Sequence, residues 1–327
     1  MTSLPWTKAV VVSITDATPS IREIVLRPEG GAQDFLPGSY VDVRLEVGMQ
    51  PEQRSYSLVG LAQKTDYRIA VKREADGRGG SIAMHQLAPG DIVEVSEPRS
   101  NFTVSFGRPD YLLVAGGVGI TPIIGMALAL KQSGAQFRLI YAARDAAELA
   151  FKDELDAALG SAWQPAVSAE GARLDLGAVL NSVAPGGEVY ICGPMRMLNE
   201  AQQEWRRLNR SPELLRFENF ASSGNFPTLP FQVEVPQLDV LVEVGAAESV
   251  LDAMRRAGVP MMSSCERGEC GLCIVSVLDA SSTIDHRDVF LSQAEKAEGT
   301  KMCACVSRAV GGTISIDNGF RETHPLL

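Results

Sequence analysis

Cys265-Glu-Arg-Gly-Glu-Cys270-Gly-Leu-Cys273 sets three cysteines at C-x4-C-x2-C spacing, and Met302-Cys303-Ala304-Cys305-Val306 returns two more near the C-terminus. Three thiolates on one short loop with a fourth from farther along is the plant-type arrangement for a [2Fe–2S] cluster, in which each iron takes two sulfurs. A backbone that wraps an inorganic core needs dihedrals most residues avoid, and Gly268 and Gly271 can supply them. The plainer alternatives are a disulfide pair and a four-cysteine zinc knuckle. Structural zinc sites commonly carry two C-x2-C pairs, and here only Cys270 and Cys273 form one. The stretch makes the last third of the chain a cluster domain.

Working outward, 327 residues suggest two or three domains rather than one core. Hydrophobic content of 45% and charged content of 21% are those of a soluble globular protein. A net charge of −10 argues against nucleic acid or an anionic membrane as partner. Six cysteines, five of them from Cys265 onward, read as metal ligands in a reducing compartment rather than as a disulfide framework. Met1-Thr-Ser-Leu-Pro-Trp6 shows no secretory pattern and no apolar run has the length of a membrane span, so a cytoplasmic location is expected.

Upstream, residues 8–104 alternate in short runs: Ala9–Ile14, Ile21–Leu26, Tyr40–Leu45, Tyr67–Lys72 and Asp91–Ser96. Glycine, proline, Asp and Asn punctuate them, which predicts a small antiparallel β-barrel. Two polar segments interrupt it. In Arg54-Ser55-Tyr56-Ser57-Leu58-Val59 an arginine fork suits a phosphate and Tyr56 can pack on a planar ring; an ordinary edge strand with a solvated arginine is the bland alternative. Lys72-Arg73 and Gly77-Arg78-Gly79-Gly80-Ser81 precede the helix-like Ile82–Leu87, and such a start offers N–H groups to an anion. A plain glycine turn is its alternative.

From Asp110 the pattern turns to βα alternation: strand Tyr111–Ala115, turn Gly116-Gly117-Val-Gly-Ile-Thr121-Pro122, helix Ile123–Ser133, strand Phe137–Ala142, helix Ala147–Leu159. Strand Gly187–Cys192 then runs into Gly193-Pro194-Met195 and a helix to Leu208. This order predicts an α/β parallel sheet binding ligands at the carboxyl ends of its strands. The turn is not G-x-G-x-x-G, yet its N–H groups and the Thr121 hydroxyl could meet a pyrophosphate. Cys192 lies at that edge; a buried small hydrophobe is the alternative. Residues 221–230 read as a linker. Beyond them come a hairpin, the helix Ser249–Ala257 and the cysteine loop. Residues 231–327 hold eight Lys or Arg against fourteen Asp or Glu, net −6, which suits either generic solvation or docking onto a basic protein.

With these motifs in order, the chain resembles the phthalate dioxygenase reductase / vanillate O-demethylase reductase family, the reductases of two-component Rieske oxygenases. The resemblance rests on Arg54–Leu58, Gly80-Ser81, Gly116–Pro122, Tyr141–Arg144, Cys192–Pro194, Phe217–Phe220 and the cysteine motif. It implies an FMN-binding antiparallel β-barrel (1–105), an NADH-binding α/β domain (106–220), the linker 221–230, and a C-terminal α+β, β-grasp-type [2Fe–2S] ferredoxin domain (231–327). It also implies a monomer whose partner is the terminal oxygenase. Carried over, Arg54, Ser55, Tyr56, Ser57, Lys72, Gly80, Ser81, Thr121 and Phe220 would hold FMN. Gly116, Gly117, Thr121, Pro122, Arg144, Cys192, Gly193, Pro194 and Met195 would line the NADH path. Cys265, Cys270, Cys273 and Cys305 would ligate the cluster, with Cys305 chosen because Val-Ser-Arg follows it. Cys303 rivals it, since alternate strand residues share a face. Few basic residues after the second strand favour NADH over NADPH. None of His85, His286 and His324 suggests a triad, as expected where cofactors do the chemistry. Two rivals remain: an FAD-dependent ferredoxin reductase of another oxygenase, and a redox sensor holding zinc in the cysteine loop.

Overall fold

The computed structural model describes residues 6–47, 50–74, 79–220, 226–246 and 248–320, with backbone alone at 45–47 and 50–52. Gly77, Arg78, His324 and the first half of the expected linker, 221–225, lie outside the described residues. The chain packs as two units, Met1–Glu218 and Asn219–Leu327.

The first unit opens with six antiparallel strands: β1 (Trp6–Asp16), β2 (Ile21–Pro28), β3 (Tyr40–Val47), β4 (Gln50–Ser57), β5 (Tyr67–Lys72) and β6 (Ile92–Ser96). Their order is β4-β3-β6-β1-β2-β5. A bridge from Leu58 to Ile69, and the Val59 N–H donating to Arg68 O at 2.8 Å, join the two edges and curl the sheet into a barrel. Alternation puts Val11, Ile24, Leu26, Val41, Val43 and Ile69 inside. The short α1 (Gly80–Gln86) plugs Met84 into the same core.

A parallel sheet follows, built from β7 (Tyr111–Gly116), β8 (Phe137–Ala143), β9 (Trp163–Val167), β10 (Glu188–Cys192) and β11 (Leu215–Glu218) in the order β11-β10-β7-β8-β9. Its helices are α2 (Ile120–Gln132), α3 (Lys152–Leu159), α4 (Leu176–Asn181) and α5 (Met195–Arg207). Every residue of β7 and β10 is buried, as continuous apolar strands covered on both faces must be. From β7 the chain winds outward through β8 and β9, then returns to the other side of β7 as β10. The reversal leaves a crevice beyond the carboxyl ends of β7 and β10, where open α/β sheets bind ligands.

Local differences have local causes. The expected turn is a 3-10 turn over Gly117–Gly119, and α2 starts at Ile120 rather than Ile123. The helix expected from Ala147 begins at Lys152, because Phe151 adopts φ 61° and interrupts it. Strand β9 contains Pro165, which sequence pattern counts against a strand; β9 is an edge, where a missing N–H leaves no ladder bond unmade.

The second unit has β12 (Phe231–Val235), β13 (Val240–Val244), α6 (Val250–Arg256), β14 (Ile274–Ala280), β15 (Ile284–Asp285), α7 (Gln293–Glu298), β16 (Lys301–Cys303), β17 (Arg308–Ala309) and β18 (Thr313–Asp317). Its mixed sheet runs β13-β12-β18-β14-β16, with β12 and β18 parallel. Ser249 caps α6 by accepting from the Asp252 N–H at 3.1 Å, and Val250, Leu251 and Met254 join the sheet core. Residues 257–273, between α6 and β14, contain neither helix nor strand. No helix among the described residues is long and apolar enough to cross a membrane.

Candidate functional site

At the crevice of the parallel sheet, two βα turns come into contact through glycine. Cys192 is the register partner of Ala115. A Cβ on Gly119 would overlap the Cys192 carbonyl oxygen, and one on Gly116 would sit 2.8 Å from Pro194 Cδ. Gly193 is close to the same turn, with a Cβ there 3.2 Å from the Gly116 backbone and 2.9 Å from Met197 Sδ. Gly116, Gly117, Thr121, Pro122 and Cys192–Met195 are therefore gathered at one edge, with Arg144 just past the end of β8, its side chain 89% exposed. Two of these side chains have settled positions. Thr121 is buried and its hydroxyl donates to Val118 O at 3.0 Å, closing its own turn. Cys192 is fully buried. Tyr141 Oη steadies the turn by donating to Gly117 O at 3.0 Å.

On the barrel, strand alternation sorts the Arg54–Ser57 segment onto two faces. Arg54 lies against α1: a Cβ on Gly80 would be 2.8 Å from Arg54 Nε, so a larger residue there would push the arginine side chain aside. Ser81 Oγ accepts from the Glu74 N–H at 3.1 Å, and Lys72 Nζ is 3.3 Å from Glu74 Oε1. Burial pushes the Tyr56 phenol up against a weaker pull from Arg54, so it stays neutral. Ser55 points the other way and donates to the buried Asp42 Oδ1 at 2.5 Å, which is a structural bond within the sheet. Ser57 Oγ donates to Glu218 Oε2 at 3.4 Å, both groups buried. Glu218 was not singled out from sequence beyond its place in Phe217–Phe220; its partner lies 161 residues away. Barrel and sheet are tied together by Ser20 to Glu148 at 2.5 Å, Arg68 to Glu154 at 2.8 Å, and a glycine contact between Gly60 and Gly125.

In the second unit, Cys265 Sγ accepts from the N–H groups of Arg267, Glu269 and Cys270, each at 3.4 Å. Burial pushes the Cys265 thiol up overall, and these N–H donors pull the other way, towards the thiolate a metal would need. Gly268 and Gly271 take φ 74° and 73°. A Cβ on Gly268 would meet Val306 Cγ2 at 2.7 Å and Asp288 Cα at 2.8 Å, and one on Gly271 would enter the Phe290 ring. The loop is thus pressed against residues 288–290. Cys273 and Cys305 bring their sulfurs to 3.1 Å. The sulfurs of Cys303 and Cys305 beside it hold the Cys273 thiol well below its ordinary value. β16 ends at Cys303 and Cys305 sits in the following turn, so the two do not share a strand face as expected; both nevertheless reach Cys273. Among the described residues no three Cys, His, Asp or Glu side chains converge on one ion-sized point. A donor set of sulfurs fed by backbone N–H groups, on glycines that tolerate no side chain, fits a thiolate-held cluster. Phe220 belongs to this unit, where its neighbour Asn219 donates from Nδ2 to Arg287 O at 3.0 Å.

Residues 113–203 match the family described as an oxidoreductase NAD-binding domain, and residues 233–310 that described as a 2Fe-2S iron-sulfur cluster binding domain. The heme-dependent oxidative N-demethylase beta subunit of Ectopseudomonas mendocina is 36% identical over 310 residues, 94% of this chain and 97% of that protein. Phthalate dioxygenase reductase of Burkholderia cepacia is 35% identical over 297 residues, 86% of this chain and 88% of that protein. A solved structure of phthalate dioxygenase reductase superposes with TM-score 0.76 and 33% identity, covering 95% of this chain and 98% of that one.

Proposed function

The chain belongs to the phthalate dioxygenase reductase family, oxidoreductases that carry electrons from NADH through FMN and a [2Fe–2S] cluster, and on that premise we propose that it is the reductase component of a two-component Rieske oxygenase system. The observation that carries this reading is that one chain holds both a glycine-lined crevice at a parallel-sheet switch point and a four-thiol loop at plant-type spacing. The bound groups supply the conversion of a two-electron hydride into single electrons.

The protein's own residues bind, orient and exclude water. Arg54, beside Gly80, would hold the flavin phosphate; Tyr56 would offer its neutral ring to the flavin, and Ser57, bonded to Glu218, would offer a fixed hydroxyl. Gly117, with open space beside it, would admit the dinucleotide, while Gly116 and Gly193 let the two turns that frame the crevice close on each other, with Arg144 on its outer side and the buried Cys192 beneath. Cys265, Cys270, Cys273 and Cys305 hold the cluster. Cys305 is preferred over Cys303 because Gly268 and Cys265 lie on its side, whereas Cys303 faces Asp288 and Lys296. Residues 1–105, 106–220 and 231–327 serve flavin, nicotinamide and cluster in turn, in a cytoplasmic monomer, where reducing conditions keep the thiols free.

Mass determination of the flavin released by heat is expected to give FMN, with turnover on NADH far above that on NADPH; FAD would overturn the reading. The relative described as heme-dependent favours a second reading, in which the oxygenase iron is haem. Following which centre NADH reduces through this chain, by visible absorption of the partner, separates the two.

A further inference from the structure

The second unit carries one thiol more than a [2Fe–2S] cluster uses, and we propose that Cys303 is a reserve ligand, able to take the iron that Cys305 holds. The proposal rests on the reading that Cys265, Cys270, Cys273 and Cys305 ligate a cluster.

Cys303 is the last residue of β16 and is paired in register with Ile274, the residue after Cys273. Between the two candidate thiols, the Ala304 N–H donates to Cys273 O at 3.0 Å. That bond anchors the centre of the Cys303-Ala304-Cys305 segment on Cys273, so the flanking side chains approach the same sulfur from either side. Cys305 Sγ is 3.1 Å from Cys273 Sγ, and Cys303, in register with the residue that follows Cys273, flanks the same anchoring bond on its other side. Both are buried, at 0% and 4% exposure, so no solvent thiol competes. The Val306 and Ser307 N–H groups donate to Cys303 O at 3.2 and 2.9 Å. With the backbone held there, exchange needs side-chain rotation and no refolding. In the exchange the Cys303 S–H bond breaks as its sulfur bonds to iron, the iron bond to Cys305 breaks, and the proton passes to the Cys305 sulfur. No electron is transferred.

Removing the ligand that is replaced exposes the reserve. The whole chain is prepared as wild type, Cys303→Ala, Cys305→Ala, Cys305→Ser and the Cys303→Ala/Cys305→Ala double variant, each reconstituted anaerobically with iron and sulfide. Bound iron and sulfide, visible absorption and the electron paramagnetic resonance of the reduced protein are recorded. Cys303→Ala is expected to match wild type. Cys305→Ala should keep at least about half the wild-type iron with a shifted resonance, and the double variant less than about a tenth. Cys305→Ser should share the Cys305→Ala spectrum, because sulfur from Cys303 and not oxygen from residue 305 is the ligand. A Cys305→Ala protein as empty as the double variant overturns the proposal, as does a Cys303→Ala protein that loses the cluster. A wild type that takes up no iron and sulfide overturns the cluster reading beneath it.

Discussion

At the crevice of the first unit the strands leading in, β7 and β10, are buried at every residue, whereas residues 257–273 around the cysteines of the second unit form neither helix nor strand. The crevice is made of backbone: glycine contacts bring two turns together, and apolar burial on both faces of the sheet keeps them there. The cysteine loop is made of sulfur and N–H groups, with little apolar area of its own beyond Cys273 and the residues it rests on. A site that is a by-product of the core survives without its ligand. A site whose donors are a loop's thiols depends on the metal for its order, because metal binding there is folding free energy.

The largest effect expected from this difference is on local order. Stripping iron and sulfide with a chelator, or making Cys265→Ala, should speed amide hydrogen exchange over residues 264–273 by orders of magnitude and leave β7 and β10 unchanged. Exchange followed by mass spectrometry reads both at once. Equal loss of protection in β7 would break the distinction.

Next in size is Asp288, which carries the loop's support. Its carboxylate is fully buried, accepts from the Leu291 N–H at 2.8 Å and from Ser307 Oγ at 3.2 Å, and lies 3.7 Å from both Lys296 Nζ and His286 Nδ1. Burial pushes its pKa up, but His286, Lys296 and the Leu291 N–H together hold it below the ordinary value. Asp288→Ala leaves the Lys296 ammonium only the backbone carbonyl of residue 288 and no counter-charge, at a cost of about 3 kcal/mol. Denaturant unfolding followed by exchange should place that loss in the second unit alone.

The crevice has its own test. Gly119 has helical backbone angles, so Gly119→Ala adds no strain in φ and ψ and only drives a methyl into Cys192 O. Overpacking of this kind costs about 1–3 kcal/mol, and the KM for NADH should rise with it. Gly134→Ala is the control: φ is 73° and nothing lies within 4 Å, so it meets backbone strain of about 1 kcal/mol and leaves KM alone. Equal KM values for the two variants would show that the turn contact is irrelevant to binding.

The same contrast explains what sequence could reveal. Strand alternation, βα order and the cysteine spacing are local patterns, and barrel, sheet and cluster loop were all legible from them. The Ser57–Glu218 pair was not, since only folding brings β4 and β11 together. Ser55 looked like Ser57 as a string and shares its strand parity, yet its hydroxyl is taken by Asp42 on the neighbouring β3 while that of Ser57 is taken by Glu218, a choice of partner that only the fold makes. Pro165 concealed β9, because whether a strand is an edge is a property of the sheet. The Cys303 and Cys305 argument assumed a strand through both, but β16 stops at the first. What escaped was pairing at long range and the exact place where a strand ends.

The smallest effect separates surface charge from either site. Asp66 accepts from Arg27 Nε at 2.7 Å and Nη2 at 2.9 Å, linking β2 to the start of β5. Those bonds hold its carboxyl below the ordinary value, against a smaller opposing effect of burial. A carboxylate whose folded pKa is depressed stabilises fully above its unfolded pKa, and that stabilisation disappears as pH falls through the folded value. Arg27 is 54% exposed, so solvent screening keeps the contribution of the pair small. The melting temperature of the first unit should therefore be slightly lower in Asp66→Asn than in wild type near neutrality. The difference should shrink as pH drops below about 4 and vanish in high salt at any pH. Iron release from the second unit, followed in the same acid titration, should occur at the same pH in both proteins. If Asp66→Asn shifted it, stability of the barrel and order of the cysteine loop would be one property, and the contrast between them would fall.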